Sequence, residues 1–217
     1  MLSDLRFTFR QIARFPGYTA VVVLTLAFGI AVNTQIFAIV SAMFFQPMPV
    51  RDADRLVTIV LRNDLINLPM PVSILDFQDM RADSKALTEH IAFFSTPAHV
   101  GMPGKSPERI GIEAVTPDAF AKYGVHAALG RTLQPSDGEM PPGTPVAMLS
   151  HAYWQTRYGG APDILGRTIL INAKPFTIVG VARPGFGSFS YMLASSVFIP
   201  SGAVAQIRPD GSDLFKY

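Results

Sequence analysis

The sequence predicts a single transmembrane α-helix followed by an α+β domain built of small split βαβ units. Three observations carry that expectation. No charged residue occurs between Arg14 and Arg51, and within this gap Tyr18–Gln46 reads YTAVVVLTLAFGIAVNTQIFAIVSAMFFQ. Crossing a hydrocarbon core of roughly 30 Å takes about 20 apolar residues at a rise of 1.5 Å each, so the run is long enough. About 165 residues follow it, enough for one domain with its own core. In them, short β-branched or alternating runs interleave with short capped helical runs, without internal repeats or low-complexity segments.

Composition narrows the function classes. Of 217 residues 49% are hydrophobic and 16% charged, a charged fraction lowered by the apolar block. The formal net charge of +2 is too small to point to a nucleic-acid partner. Cysteine is absent, which excludes disulfides, a thiol nucleophile and cysteine metal ligands but says nothing about compartment.

Residues 1–16 are expected to form a cytoplasmic amphipathic helix. Leu2, Leu5, Phe9 and Ile12 fall on one helical stripe, and Arg6, Arg10 and Arg14 follow one another at i, i+4, i+8 on its flank. Such a basic face lies well against lipid head groups. Pro16-Gly17 breaks this helix before the transmembrane segment, residues 18–46. A signal peptide fits less well, because the apolar run exceeds an h-region of about 7–15 residues and no small-x-small cleavage site follows it. The flank before the span carries three arginines against Asp4, whereas in RDADR Arg51 and Arg55 are balanced by Asp52 and Asp54. By the positive-inside rule the N-terminus is cytoplasmic and the domain over residues 50–217 lies outside, in the periplasm of a two-membrane bacterium. The expected address is the bacterial inner membrane, with one pass through the bilayer.

Inside the span Asn33, Thr34 and Gln35 need partners, since unpaired polar groups in lipid cost free energy. One account is local: threonine bonds its own helix backbone, and the amides sit near the interface. The favoured one is a face for other membrane helices, with Gly29 and Asn33 at i, i+4 and Gln35 as a further candidate.

Gln46-Pro-Met-Pro49 ends the helix in an extended linker. Arg55–Arg62 (RLVTIVLR) reads as a first strand, and Ser73 with Asp76 three residues on opens a helix. Ile91–Ser95 and Arg109–Val115 are predicted strands. Thr116-Pro117-Asp118 begins a short helix, capped by the threonine and stopped at Gly124. Pro145–Ser150 is a buried strand entering a helix that Ser150 caps and Gly159-Gly160 ends. Arg167–Ala182 is a hairpin turning at Asn172–Pro175, and Ser196–Pro200 is a last strand.

None of the chemistry-bearing patterns holds together. HVGMPGKS (His99–Ser106) ends like a phosphate-binding loop, but His99 replaces the first glycine and Pro107 follows where a helix N-terminus is required; a solvated loop is expected. Ser150-His151 lacks the GxSxG elbow, and helix capping accounts for the serine. His90, His99, His126 and His151 have no metal-ligand spacing. Asp76 and Asp79, one turn apart, read as a wet face, and Tyr153, Trp154 and Tyr158 as core and rim packing. The domain is expected to be non-catalytic, with no cofactor and no metal.

Taken together, several segments resemble a known family. LRFTFRQIARFPGYTAVVVLTLAFGIAVNTQIFAIVSAMFFQPMPVRDADRLV is similar to the opening of the MacB/FtsX-type permeases, in particular the orphan-permease branch common in Acidobacteria. VTPDAFAKYGVHAALGRTLQPSDG, VAMLSHAYWQTRYGGAPDILGRTILINAKPFTIVGVARPGF and SVFIP resemble successive parts of that family's periplasmic core domain. The resemblance implies an anchor helix and a periplasmic domain that moves as a separate cytoplasmic ABC-type ATPase hydrolyses ATP, in an export or mechanotransmission permease with further membrane helices. No second hydrophobic run follows before Tyr217, so the domain is expected to be incomplete at its C-terminal end and the chain to be a truncated permease, a split gene product or a fragment. The expected partners are the lipid bilayer, an ABC ATPase and further permease helices, with no nucleic acid. The alternative is a bitopic protein whose periplasmic domain binds a partner without transport.

Overall fold

The computed structural model describes residues 14–44, 55–59, 61–63, 68–70, 72–190 and 194–208. The chain divides into two units, Met1–Pro47 and Met48–Tyr217. In the first, α1 (Pro16–Phe44) runs for 29 residues, about 43 Å at 1.5 Å per residue and longer than a bilayer's apolar core. After Pro16 the run carries no proline and no charged residue, so nothing in it interrupts the helical backbone ladder.

In the second unit, β1 (Leu61–Asn63) and β2 (Leu68–Met70) form a small antiparallel pair. Helix α2 (Ile74–Asp83) follows, capped by Ser73, whose hydroxyl accepts from Asp76 N–H at 3.0 Å. The main sheet contains β3 (Phe93–Gly101), β4 (Glu108–Val115), β5 (Ala127–Gly130), β6 (Val146–Leu149), β7 (Thr168–Ile171), β8 (Lys174–Ala182) and β9 (Val197–Pro200). Their order is β5-β8-β6-β9-β4-β3-β7, and β7 also pairs with β8, so the sheet curls back on itself. Helices α3 (Ala119–Lys122), α4 (His151–Tyr158) and α5 (Val204–Ile207) connect or flank the strands. The parallel pairs β4–β9 and β6–β8 are the split units: α3 lies between the strands of the first, α4 between those of the second.

Period-two alternation places two different cores on the two faces of this sheet. Ile112, Ala114, Ala147, Leu149, Phe176, Ile178, Val197 and Ile199 lie in a largely aliphatic cluster. Val115, Met148 and Phe198, on the alternate positions, join Phe120, Phe186 and Phe189 in an aromatic one. Phe120 meets Phe189 and Phe198 edge-on, with centroids at 5.0 and 5.4 Å, the arrangement ring quadrupoles favour. Where β5 crosses β8, a Cβ at Gly180 would come within 2.0 Å of Arg131 O, so only glycine allows the approach.

Several expectations change in detail. Among the described residues of the predicted strand Arg55–Arg62, Leu61 and Arg62 are paired, whereas Val57 and Ile59 are exposed and find no partner strand. Strand β3 extends to Gly101, so His99–Gly101 pair with β4 and β7 instead of opening a loop. Thr116 does not cap α3: its hydroxyl accepts from Ala92 N–H at 3.3 Å, and Asp118 takes the cap position without a side-chain bond. The β7–β8 hairpin turns on two residues, Asn172 and Ala173, both at positive φ, which leaves Lys174 and Pro175 in the strand.

Candidate functional site

The expected membrane-facing residues lie on α1. Its large side chains are exposed on all sides, among them Leu24 and Phe28. Thr25 bonds its own helix backbone, donating to Val21 O at 2.8 Å. Apart from the adjoining backbone of its own helix, nothing lies within 4 Å of where a Cβ at Gly29 would sit, and Asn33 one turn on is exposed on the same face. Gln35, also exposed, lies about 200° around the helix from Asn33 and so belongs to another face. Arg14 is exposed; Arg6 and Arg10 lie outside the described residues.

In the sheet domain the predicted structural residues take structural places. Ser150 is buried and accepts from Tyr153 N–H at 3.2 Å, capping α4, while the His151 ring packs edge-on against Trp154. Gly159 closes the same helix in the left-handed conformation. Asp76 helps cap α2, and Asp79 faces solvent. Tyr153 donates to Glu108 at 2.7 Å and Arg157 pairs with the same oxygen at 3.0 Å. Burial and then the Glu108 carboxylate push the Tyr153 hydroxyl pKa far up. Among the described residues no cluster of histidine, cysteine, aspartate and glutamate could hold a metal ion.

Two buried carboxyls stand out that sequence reasoning passed over. Asp137 is held by Arg131 through two bonds of 2.7 and 2.8 Å and also accepts from Gln134 N–H. Burial opposes its charge, but the Arg131 and Gln134 bonds outweigh burial and keep the carboxyl below the usual range. It fixes the loop between β5 and β6. Glu113, on β4, has no solvent exposure and lies on the aromatic face. Ser188 Oγ lies 3.0 and 3.1 Å from its two oxygens, Phe189 N–H donates at 3.2 Å, and the Ser95 and Ser195 hydroxyls complete the nest. Burial pushes this carboxyl up to about 7, with the hydrogen bonds acting against it. The alternation in RIGIEAV was the available signal: Glu113 shares its parity with Arg109 and Gly111, the open side of the strand. What covers that side is a segment about 75 residues away in sequence.

Comparison with known proteins places these features. No curated protein matches the chain. The periplasmic region of MacB from Actinobacillus actinomycetemcomitans aligns with 68% of this chain and 65% of its own length, at 16% identity and a TM-score of 0.52. The chain therefore spans just under two thirds of that region. The extracellular domain of the noncanonic ABC-type transporter YknZ from Gram-positive bacteria aligns over 68% of this chain and 73% of its own, at 14% identity and a TM-score of 0.54. These likenesses are in fold. The MacB-like periplasmic core domain family matches residues 19–214, nearly the whole chain, and the chain belongs to that family.

Proposed function

We propose that this chain is a non-catalytic membrane component of an ABC-type export or mechanotransmission permease. In this account residues 18–46 anchor it in the bacterial inner membrane, residues 1–16 lie on the cytoplasmic surface, and residues 50–217 form the periplasmic domain. A separate cytoplasmic ATPase supplies the energy, and movement of the periplasmic domain delivers it. The observation that carries this is one conjunction: a MacB-like periplasmic core domain joined to a helix whose apolar side chains are exposed all round. Such a helix has no favourable place in water, and lipid or neighbouring helices satisfy it. One span encloses no substrate path, so the chain works with further membrane helices, and Gly29 and Asn33 offer a face with room for close approach.

The test is co-purification of the full-length chain from native membranes in mild detergent. Recovery of an ATP-hydrolysing subunit, in proportion to the bait, is the expected result. Its consistent absence from an intact, inserted chain would sink the permease assignment and leave a bitopic periplasmic interaction protein.

A further inference from the structure

Glu113 is an unusual occupant of its position. Its Cα neighbours across the sheet are Ser95 on β3 and Phe198 on β9. Over it lies the segment Arg183–Ser190, which inserts Phe186 and Phe189 into the cluster around Phe120 and Phe198. The segment's polar atoms turn to Glu113: Ser188 Oγ accepts from Ser190 N–H at 2.8 Å, which leaves its own proton for the carboxyl, and Phe189 N–H points there too. Thus a single carboxyl, sealed from water, ties a connecting segment to the middle of the sheet. Capping or packing would not need an ionisable group here, and burying one without a counter-charge is costly.

We propose that Glu113 is a proton-operated catch, which holds the Arg183–Ser190 segment on the aromatic face while protonated and loosens it on ionising. The groups facing the carboxyl are uncharged: Ser95 from β3, Phe198 from β9, and Ser188, the Phe189 amide and Ser195 from the covering side. On α3, which packs against the same rings, Asp118 and Lys122 pair with each other at 2.7 Å. Arg183 is the charged residue of the segment itself. Among the described residues burial and hydrogen bonds alone act on the carboxyl, with no cation compensating it, and relief comes from water admitted when the segment lifts. Burial sets the direction: the closed state holds its proton up to about pH 7, whereas an opened, hydrated glutamate releases it near its ordinary value of 4.5. Ionisation then shifts the balance towards the open state by at most about 300-fold. Two buried phenylalanines resist this, so the segment stays closed on average and opens more often.

Hydrogen exchange of the full-length chain in detergent micelles, read by mass spectrometry, tests this. Protection factors are compared at about pH 6 and pH 8 for a peptide covering Phe186–Ser190 and for one covering Val146–Leu149 in β6. The expected result is a roughly tenfold loss of protection in the first peptide, from a level well below that of the second at both pH values, and a flat profile for Glu113→Gln. Equal protection of the two peptides in the wild-type chain, which would mean that the segment opens only with the whole domain, would overturn the proposal, as would a Glu113→Gln chain that keeps the loss. If that variant does not fold, the wild-type comparison between the two peptides decides.

Discussion

In α1, Leu24 and Phe28 are 68% and 73% exposed; in the sheet domain Ile112, Phe120 and Phe198 have no exposure at all. Both regions are rich in apolar residues, yet they dispose of them in opposite ways. The sheet domain alternates side chains between two faces and covers each, so its apolar residues find partners within the chain. The helix repeats them around its whole circumference, and there they stay exposed. Each region also holds polar exceptions, and these differ in the same sense. Glu113 meets four hydrogen-bonding groups of its own domain, whereas Asn33 and Gln35 are exposed on their helix. A self-sufficient core and an outward-facing helix call for different solvents, and the difference separates folding from assembly.

Truncation is the harshest way to break that contrast. Phe120→Ala removes the ring on which Phe186, Phe189 and Phe198 converge and should cost the domain about 3–5 kcal/mol, read as a lowered midpoint in chemical denaturation. Leu24→Ala, equally apolar and mostly exposed, should leave that midpoint within about 0.5 kcal/mol.

Next comes pH. A carboxyl raised from 4.5 to about 7 by folding keeps a proton that the unfolded chain has released. Domain stability should therefore fall as pH rises through the window from about 4.5 to 7 and level off above it. Glu113→Gln should remove this slope, matching wild type near pH 4 and exceeding it by up to about 3 kcal/mol near pH 8. Thermal unfolding across that pH range reads both.

Smaller effects sharpen the picture. Ser150→Ala deletes the cap of α4 and should cost about 1 kcal/mol, with no change in any binding property. Asn33→Leu should leave membrane insertion and domain stability untouched while weakening assembly with neighbouring helices by about 0.6 kcal/mol. Crosslinking yield of the inserted chain measures this, and an unchanged yield would remove Asn33 from the packing face.

How much of this was legible depended on how local the cause was. Strands β4, β6 and β9, the capped helices α2 and α4, and the β7–β8 hairpin announce themselves within about ten residues through alternation, caps and turn residues. Strand β5 does not: AALG has no β-branched residue and exists because β8 offers it an edge. The length of β3 was hidden by Pro97 and by the glycine-rich run after it, and pairing with β4 overrides both. In the strand predicted at Arg55–Arg62, only its end, Leu61 and Arg62, is paired among the described residues, and the β-branched Val57–Ile59 stretch has composition without a partner strand. The Glu113 nest lay out of reach for the same reason, because its donors come from Ser95, Ser188, Phe189 and Ser195, brought in by the sheet's topology. For α1 the length and the charge-free run were visible at once, while Gln35 proves to sit away from the Gly29–Asn33 face.

The proposed topology has residues 1–16 inside, α1 across the membrane and the sheet domain outside. Because the chain lacks cysteine, single cysteines report cleanly, and Lys105→Cys in the exposed turn after β3 can be set against Ser3→Cys near the N-terminus. A membrane-impermeant maleimide applied to intact spheroplasts should label position 105 at once and position 3 only after permeabilisation. Labelling of position 3 first, or of both equally in sealed spheroplasts, would contradict the account.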